Sequence, residues 1–220
     1  MLIDMHIHTS KYSSCSILDP IDLVKRASQL RLSGIVITEH HNVWSHEEIE
    51  ELKRETKSEL LILRGQETTC SIGHLLIFGY YDKLQENLAA KEVLDKVHKK
   101  GGIVIMAHPF RNGYGFGEPP EALKSRFAYV DGIEVFNANQ SRAENEFGRK
   151  VWEALGIVGI GGSDAHSVEM VGRYVTWFQN VIRDENDLVA ETRGGRCKPI
   201  VYDAPARFWR FQQLLSAANR

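Results

Sequence analysis

Cysteine is scarce in this chain: 220 residues contain only three, Cys15, Cys70 and Cys197, and they are far apart in sequence. So few and so scattered cysteines exclude a disulfide-stabilised scaffold and favour a reducing compartment. Long apolar runs are absent as well, because the stretches at 103–107 and 157–162 are far shorter than the roughly 20 residues of a membrane-spanning helix. With no basic and apolar leader at its start, the chain is expected to be cytoplasmic and to have no membrane partner.

Neither sign of charge is in excess. The sequence has 27 Lys and Arg against 29 Asp and Glu, a net charge of -2, which gives no overall attraction to nucleic acid. The composition, 43% hydrophobic and 25% charged, is ordinary for a globular protein with a substantial core. We therefore expect a single domain that spans residues 1–220, and the sequence leaves the oligomeric state open.

Three familiar catalytic motifs are missing. The sequence has no Gly-x-Ser-x-Gly elbow, no glycine-rich phosphate loop ending in Lys-Ser or Lys-Thr, and no dinucleotide-binding fingerprint. These absences exclude the enzyme classes that depend on such motifs, so any chemistry must come from other groups.

What the chain does have is an alternation of short apolar runs with longer amphipathic ones, which predicts repeated β-α units. Asp19 followed by Pro20 is a good helix start, and so is Ser45 with Glu48 three residues later. The strands are expected at 2–6, 34–38, 60–65, 75–78, 103–107, 132–136, 158–161 and 173–178, and the helices at 20–32, 45–58, 89–100, 119–127, 141–155 and 185–193.

The end of the chain supports two interpretations. Its arginines are interleaved with Phe208, Trp209 and Phe211, a composition that can grip a single nucleic-acid strand. The apolar residues also recur at helical spacing, which favours an amphipathic helix at about 203–219 that closes the barrel. We prefer the helix and keep the nucleic-acid interpretation open.

Two pairs of side chains carry the chemistry. His6 and His8 follow an apolar start, and Asp164 and His166 follow another apolar run. Residues two apart on an extended strand point to the same face, so each pair can present both side chains to one ion. Imidazole and carboxylate donors suit Zn, Mn or Fe, and the sequence therefore predicts a metal site. The alternative, histidines hydrogen-bonded at a strand end, is less able to explain two such pairs.

Polar side chains recur at or just beyond the ends of the predicted strands. In a β/α barrel the carboxyl ends of the strands meet at one face, and catalytic residues come from that face. Two other histidines, His46 and His98, fall on predicted helices and are left out. The strand-end groups are His6, His40, Glu67, His108, Glu134 and Asp164.

For three of the candidate residues the sequence supports more than one interpretation. We choose His40 over His41, because consecutive side chains of an extended segment diverge. Glu67 is expected to bind metal, and the structural alternative is a salt bridge to Arg64 or a helix cap. His74 is left open between a further ligand and the simple start of a strand.

The neighbourhood of the site offers positive charge and a glycine-rich segment. Arg111, Arg142 and Arg173 follow or flank the strand-end segments, and such side chains can clamp a phosphate by bidentate hydrogen bonds. Arg111 is the best placed of them, because it lies close to His108 in sequence. The stretch 111–120 is either a surface loop, which we prefer, or a substrate lid.

Taken in order, these segments resemble the polymerase and histidinol phosphatase family over residues 1 to about 178, and the last of them resemble its small stand-alone metal-dependent phosphoesterases. The motifs are specific as a set. They are His6-x-His8, Thr38-Glu39-His40, Glu67, Ala107-His108-Pro109, the segments 132–137 and 162–166, and Val171-Gly172-Arg173.

The resemblance implies an α/β fold, a distorted, TIM-like (β/α)7 barrel with two or three divalent metal ions at the carboxyl ends of its strands. Some members with three ions have a further histidine where this chain has only Cys15, which puts the third ion in question. By position, one ion would be held by His6, His8, Glu67 and Asp164, a second by Glu67, His108 and His74 if it is a ligand, and a third approached by His40 and His166.

The resemblance also implies roles for these residues. Asp164, His166 and Glu67 would be catalytic, and Asp4, Glu39 and Glu134 would support the ligands. The expected activity is hydrolysis of a phosphate ester in a small phosphomonoester, a nucleotide or a short oligonucleotide, by attack of a metal-bridging hydroxide. Three alternatives remain: a single-strand nuclease, a metal-dependent C–N hydrolase, and a non-catalytic metal-binding domain.

Overall fold

The computed structural model describes residues 1–202, so the helix predicted at about 203–219 lies outside the described residues. Within them, all eight predicted strands are confirmed and a ninth, not predicted, follows. The strands are β1 (Leu2–Ile7), β2 (Gly34–His40), β3 (Leu61–Cys70), β4 (Gly73–Phe78), β5 (Ile103–Met106), β6 (Gly132–Asn137), β7 (Val158–Gly162), β8 (Tyr174–Phe178) and β9 (Cys197–Val201).

Five α-helices of the described region confirm five of the predicted helices, and their starts follow the expected capping chemistry. Asp19 accepts hydrogen bonds from the first turn of its helix, and Ser45 and Glu48 form a capping box. The segment predicted at 119–127 is a 3-10 helix (Pro120–Phe127), and a shorter one covers Arg111–Gly113. The α-helices are α1 (Pro20–Gln29), α2 (His46–Thr56), α3 (Ala90–Lys99), α4 (Arg142–Leu155) and α5 (Glu185–Arg193).

All nine strands belong to one sheet, in the order β7-β6-β5-β4-β3-β2-β1-β8-β9. The pairs β1–β2, β2–β3, β5–β6 and β6–β7 are parallel, whereas β4 is antiparallel to both of its neighbours. The chain after β7 returns to β1, because the N–H of His8 donates to the carbonyl of Ala165 at 3.0 Å. Strands β1 to β7 thus form the nearly closed, distorted TIM-like barrel that was predicted, and the antiparallel β4 is its main departure from a parallel barrel.

Apolar side chains form three clusters around this sheet. One fills the barrel interior and is built from residues such as Ile3, Val36, Leu76 and Ile105. A second lies between the sheet and helices α1 and α2, and a third lies between the sheet and helices α3 and α4. Because burial of apolar surface is the main stabilising contribution, the three clusters hold the strands rigidly and leave polar residues for one rim. Among the described residues, no helix combines the length and the hydropathy of a membrane span.

Candidate metal centre

His6 and His8 lie at the end of β1, where a bulge changes the face to which side chains point. Ile3 and Met5 pack in the barrel interior, whereas Ile7 packs outside, in the cluster of α1 and α2. The pairing of β1 with β2 shifts register just before Ile7. Such a bulge reverses the alternation of side chains beyond it, so both histidines point into the barrel mouth, where they are fully buried.

Glu67 lies at the centre of the rim, with one imidazole or more near each oxygen. Its Oε1 is 2.9 Å from Nδ1 of His74 and 3.0 Å from Nε2 of His108, and its Oε2 is 3.1 Å from Nδ1 of His40. The prediction placed Glu67 just beyond a strand, but β3 continues to Cys70, and Glu67 is inside it. The local reason is pairing with β4, which extends β3 as one arm of a hairpin.

The direction of β4 bears on the question left open for His74, which was expected either to bind metal or simply to begin a strand. His74 is the second residue of that strand, and because β4 is antiparallel its amino end lies at the same rim as the carboxyl ends of the parallel strands. His74 therefore begins a strand and also contacts Glu67. Neither interpretation excludes the other.

Asp164 and His166 lie on the loop that follows β7. The backbone of Asp164 is left-handed, with φ of 50°, a conformation that Asp tolerates better than most residues. Asp4 fixes this loop, because its carboxylate accepts hydrogen bonds from the N–H groups of Ser163 and Gly172, both at 2.9 Å. Burial outweighs these hydrogen bonds and raises the pKa of Asp4 to about 6.

Four donor atoms converge on one point. The Nε2 atoms of His6 and His8 are 3.0 Å apart. Oε2 of Glu67 is 3.5 Å from the first and 3.2 Å from the second, and Oδ1 of Asp164 is 3.4 and 3.3 Å from them. Zinc–ligand bonds of about 2.0–2.2 Å in a tetrahedron would separate the ligand atoms by roughly 3.3–3.5 Å. The five distances are close to that spacing.

Hydrogen bonds fix which ring nitrogens are free. Nδ1 of His6 lies 2.9 Å from Oε1 of Glu134, and a carboxylate only accepts, so this nitrogen carries the proton. Nδ1 of His8 lies 3.3 Å from Oγ of Ser13, whose own hydrogen goes to Glu39 at 2.5 Å, so this nitrogen is a donor too. The two Nε2 atoms face each other, and they are the positions at which a proton or a metal ion can bind.

The charged groups of the centre depend on one another. Burial opposes the charged form of each, yet the carboxylates of Glu134, Asp164 and Glu67 raise the pKa of His6 well above its ordinary value. In the same way, and again against burial, His6 and the neighbouring imidazoles hold the pKa of Glu67 and of Asp164 well below the usual range. The carboxylates of Glu67 and Asp164 therefore stay ionised although they are buried away from water, and they attract positive charge to the centre.

This arrangement fits a metal ion. Two Nε2 atoms 3.0 Å apart, with two ionised carboxylates beside them, need positive charge between them. The raised pKa of His6 shows that a proton can supply this charge in the absence of metal, and a divalent ion can take its place. Nitrogen and oxygen donors in this mixture suit divalent transition metals. Three groups of the described residues hold donor atoms within 4.8 Å of one another: His6, His8 and Glu67; Glu67, His74 and His108; and His8, His40 and His166.

These groups overlap with the assignments implied by the family resemblance, including the pairing of His40 with His166. Nδ1 of His166 donates to the carbonyl of Asp164 at 2.8 Å, which leaves its Nε2 free, and burial lowers the pKa of His166. Cys15 is exposed and lines the mouth of the same cavity, of about 380 Å³, but none of the three groups contains it.

Two of the acids expected to support the ligands lie behind them, Glu134 in direct contact with His6 and Glu39 in contact with His8 through Ser13. Glu134 contacts His6 and also accepts the N–H of His108 at 2.8 Å. Glu39 accepts hydrogen bonds from Thr9, Ser13 and Trp44 and contacts no cation among the described residues. Both carboxylates are fully buried.

Two site residues were missed by sequence reasoning. Ser13 links His8 to Glu39, and Asn137 donates from Nδ2 to Glu134 at 2.8 Å and to Asp164 at 3.2 Å. Asn137 is the last residue of the segment 132–137, just after a predicted strand, and this position could have marked it as a site residue. Ser13 lies in an irregular loop, and no periodicity marked it.

The three candidate arginines lie in different places. Nη2 of Arg111 contacts Oδ2 of Asp164 at 2.5 Å, and the side chain lines the cavity of the centre. Arg142 is exposed at the first turn of α4, and Arg173 is exposed beside a separate cavity with Tyr202. The structure brings Arg111 alone of these three to the metal centre.

Comparisons with known proteins agree with this architecture. A family model described as PHP-associated matches residues 142–197. An uncharacterized protein of Methanocaldococcus jannaschii is 28% identical over 201 residues, which cover 86% of this chain and 75% of that protein.

Solved structures share the fold at low sequence identity. A two-domain protein from Bacteroides vulgatus that contains a predicted PHP-like metal-dependent phosphoesterase has a TM-score of 0.66 and 21% identity, over 92% of this chain and 65% of that one. A lesion-specific endonuclease from Pyrococcus furiosus has a TM-score of 0.60 and 18% identity, over 90% of this chain and 57% of that one. The match of the PHP-associated model to residues 142–197 and the fold shared with these structures agree with the resemblance to the polymerase and histidinol phosphatase family that the strand-end motifs carry.

Proposed function

We propose that this protein is a metal-dependent phosphoesterase, with its metal ions held by the eight side chains of the rim. The observation that carries the proposal is the convergence of the Nε2 atoms of His6 and His8 with the carboxylates of Glu67 and Asp164 at 3.0–3.5 Å. The full ligand set is His6, His8, His40, Glu67, His74, His108, Asp164 and His166, with Asp164, His166 and Glu67 nearest the reaction. Zn, Mn and Fe all suit these donors, in two or three sites.

Bound divalent ions would supply two things: a water of lowered pKa and a positive field for the phosphoryl oxygens. The chain's own side chains do the rest. Arg111 lines the cavity with Nη2 of its guanidinium on Asp164, so the other N–H groups at that end of the side chain are placed to hold a phosphoryl oxygen. Asn139 fixes the loop of Asp164 by donating to its backbone carbonyl at 2.8 Å.

Neither Cys15 nor Ser13 is suited to attack phosphorus itself. Burial and the nearby carboxylates raise the pKa of Cys15, which keeps it a thiol near neutral pH. Ser13 is buried and its hydroxyl is engaged with Glu39. Direct attack by water, without a covalent intermediate on the protein, is therefore the route that we propose.

The substrate class is a phosphate ester, either of a small molecule or nucleotide or of a short nucleic acid. The open cavity of about 380 Å³ has room for a phosphate and part of its leaving group. The P. furiosus neighbour is an endonuclease, so an oligonucleotide belongs in any substrate panel. The basic segment that favoured a nuclease lies largely outside the described residues.

Elemental analysis combined with a hydrolysis panel tests the proposal. We expect purified full-length protein to contain divalent metal and to release phosphate from aryl phosphates, nucleotides or short single strands, but not to cleave aryl amides. Asp164→Asn should lower kcat/KM by a factor of about 100 or more, as expected when a metal ligand is neutralised. His46→Ala, which removes an exposed histidine on α2, is the matched control and should keep full activity.

Three results would count against the proposal. One is full metal occupancy with no hydrolysis of any phosphate ester. Another is cleavage of amides with no action on phosphates, which would place the protein among C–N hydrolases. A protein that takes up no metal would also contradict it.

A further inference from the structure

A second cavity, of about 210 Å³, adjoins the metal centre. It shares His74, His108 and Arg111 with the cavity of the centre, so the two are continuous along one wall. Its other walls include apolar side chains, among them Ile72 and Met106. A ligand held at the centre can therefore extend into this neighbouring space, which we call the side cavity.

Another wall of the side cavity carries Arg126, a cation that forms no salt bridge with a described residue, although Glu118 is near enough to act on its pKa. Arg126, at the end of the 3-10 helix Pro120–Phe127, lies with its Cζ 3.3 Å from the ring centroid of Tyr114. It forms no salt bridge among the described residues, and its Nη1 is buried with no hydrogen-bond partner there. Burial lowers the pKa of Arg126, although its charge persists at neutral pH.

Arg111 also has a buried N–H group without a hydrogen-bond partner among the described residues. Its Nη2 contacts Asp164 and Asn137, but its Nε is buried and has no hydrogen-bond partner among the described residues. Buried N–H groups without partners are rare in native proteins, and each one reduces stability by about 1–3 kcal/mol. Two arginine N–H groups of this kind around one cavity indicate an anionic ligand.

We propose that the side cavity binds a second anionic group of the substrate, held by Arg126 and Arg111, while the scissile phosphate lies at the metal centre. This inference rests on the proposed function and narrows it to phosphate esters that carry a further phosphate or carboxylate. The apolar side chains of the side cavity, among them Ile72 and Met106, suit a short hydrocarbon spacer between the two anions. Arg126 then acts in substrate selection and does not touch the reacting atoms.

Three synthetic substrates that share one spacer test this. They are the monophosphate of a short alkanediol, its bisphosphate, and the phosphate of the matching hydroxy-carboxylic acid. We expect kcat/KM for at least one of the doubly anionic substrates to exceed that for the monophosphate by a factor of about 10 to 100, the value of one or two charged hydrogen bonds. The larger of the two values identifies the second anion as phosphate or carboxylate.

Arg126→Gln should reduce this preference about ten-fold or more, by lowering kcat/KM for the favoured substrate more than for the monophosphate. Lys124→Gln removes an exposed positive charge from the same 3-10 helix and should leave the preference unchanged. An unaltered preference in Arg126→Gln, or equal rates for all three substrates, would overturn the inference while the phosphoesterase assignment stands.

A binding measurement covers the case in which no phosphate ester is hydrolysed at all. Inorganic phosphate is titrated calorimetrically into metal-free wild-type protein and into metal-free Arg126→Gln. We expect Arg126→Gln to weaken binding about ten-fold. Equal affinity, or no binding to the wild type, overturns the inference. Weaker binding by the variant retains the anion cavity even if the proposed catalytic activity fails.

Discussion

Ser13 donates a hydrogen bond of 2.5 Å to the buried carboxylate of Glu39. The same Oγ lies 3.3 Å from Nδ1 of His8 and accepts the N–H of His40 at 3.2 Å. One hydroxyl thereby uses its hydrogen and both lone pairs, and it holds the imidazole of His8 and the backbone of His40. Partners of this kind set the tautomer of a ligating histidine and commonly change metal affinity 10- to 100-fold when removed.

Ser13→Ala is therefore expected to weaken metal binding by about 10- to 100-fold and to leave the fold intact. Competition with a chromogenic chelator measures the affinity. Ser14→Ala, at an exposed neighbouring serine, serves as the control. If Ser13→Ala and Ser14→Ala retain metal equally well, the role assigned to the hydroxyl is wrong.

Removal of the metal is expected to destabilise the wild-type protein. A ligand at 1,000 times its dissociation constant adds about 4 kcal/mol to the free energy of unfolding, and chelation abolishes this contribution. Thermal unfolding with and without EDTA checks this, and we expect a markedly lower Tm in EDTA. Asp164→Ala, which lacks a ligand, should respond less to EDTA. Equal Tm values for the wild type in both conditions would contradict a metal-stabilised centre.

Glu48 gives a prediction about pH. It caps α2 and contacts Lys11 at 2.7 Å and Tyr12 at 2.5 Å. Partial burial opposes its charge, but these contacts and the backbone N–H of Ser45 lower the pKa of Glu48 to about 2. A lowered folded-state pKa stabilises the protein above the unfolded value and loses this effect as the pH falls towards the folded value.

Glu48→Gln should accordingly lower the free energy of unfolding by about 1 kcal/mol near pH 7, and the difference from wild type should shrink from about pH 4.5 downwards. Urea unfolding at about pH 7 and about pH 3 measures both values. Glu51→Gln, at an exposed position of the same helix, is the control. A difference that stays constant over this range would show that the carboxylate charge plays no part.

Phe110 anchors the glycine-rich segment beside the site. It is fully buried, and its ring contacts Phe127 and Phe147 edge-on at 6.3 and 5.1 Å. Phe110→Ala should reduce the free energy of unfolding by about 3–5 kcal/mol, the range for a large aromatic residue in a core. Phe116→Ala, at a half-exposed position of the same segment, should have a smaller effect. Denaturant unfolding compares the two, and equal losses would contradict the anchoring role.

The strand pattern was predictable because each apolar run is bounded by turn residues or by a helix cap, as at Asp19 and Ser45. The gathering of His6, Glu67, His108 and Asp164 at one rim also followed from their position near strand ends. A prediction from the sequence pattern assumes that side chains alternate regularly between the two faces of a strand and that all strands are parallel. It does not show where the chain departs from these two assumptions.

The details of the site arise where those rules break down. A bulge precedes Ile7 in β1, and a second register shift lies between Glu134 and Phe136 in β6. His108 and Asp164 adopt positive φ values of 28° and 50°. These irregularities re-aim side chains and depend on tertiary packing, so one sequence does not reveal them. The antiparallel course of β4 likewise comes from its hairpin with β3.

The line along which the barrel closes has one more consequence. Two of the proposed ligands, His6 and His8, lie at the end of the first strand and just beyond it. Asp164 follows the seventh strand, next to the contact between His8 and Ala165. A cation held by all three side chains would link the first and seventh strands of the barrel where they meet. Catalytic power and the mechanical integrity of the barrel would then depend on the same ion, and depletion of metal would loosen the molecule at the place where it works.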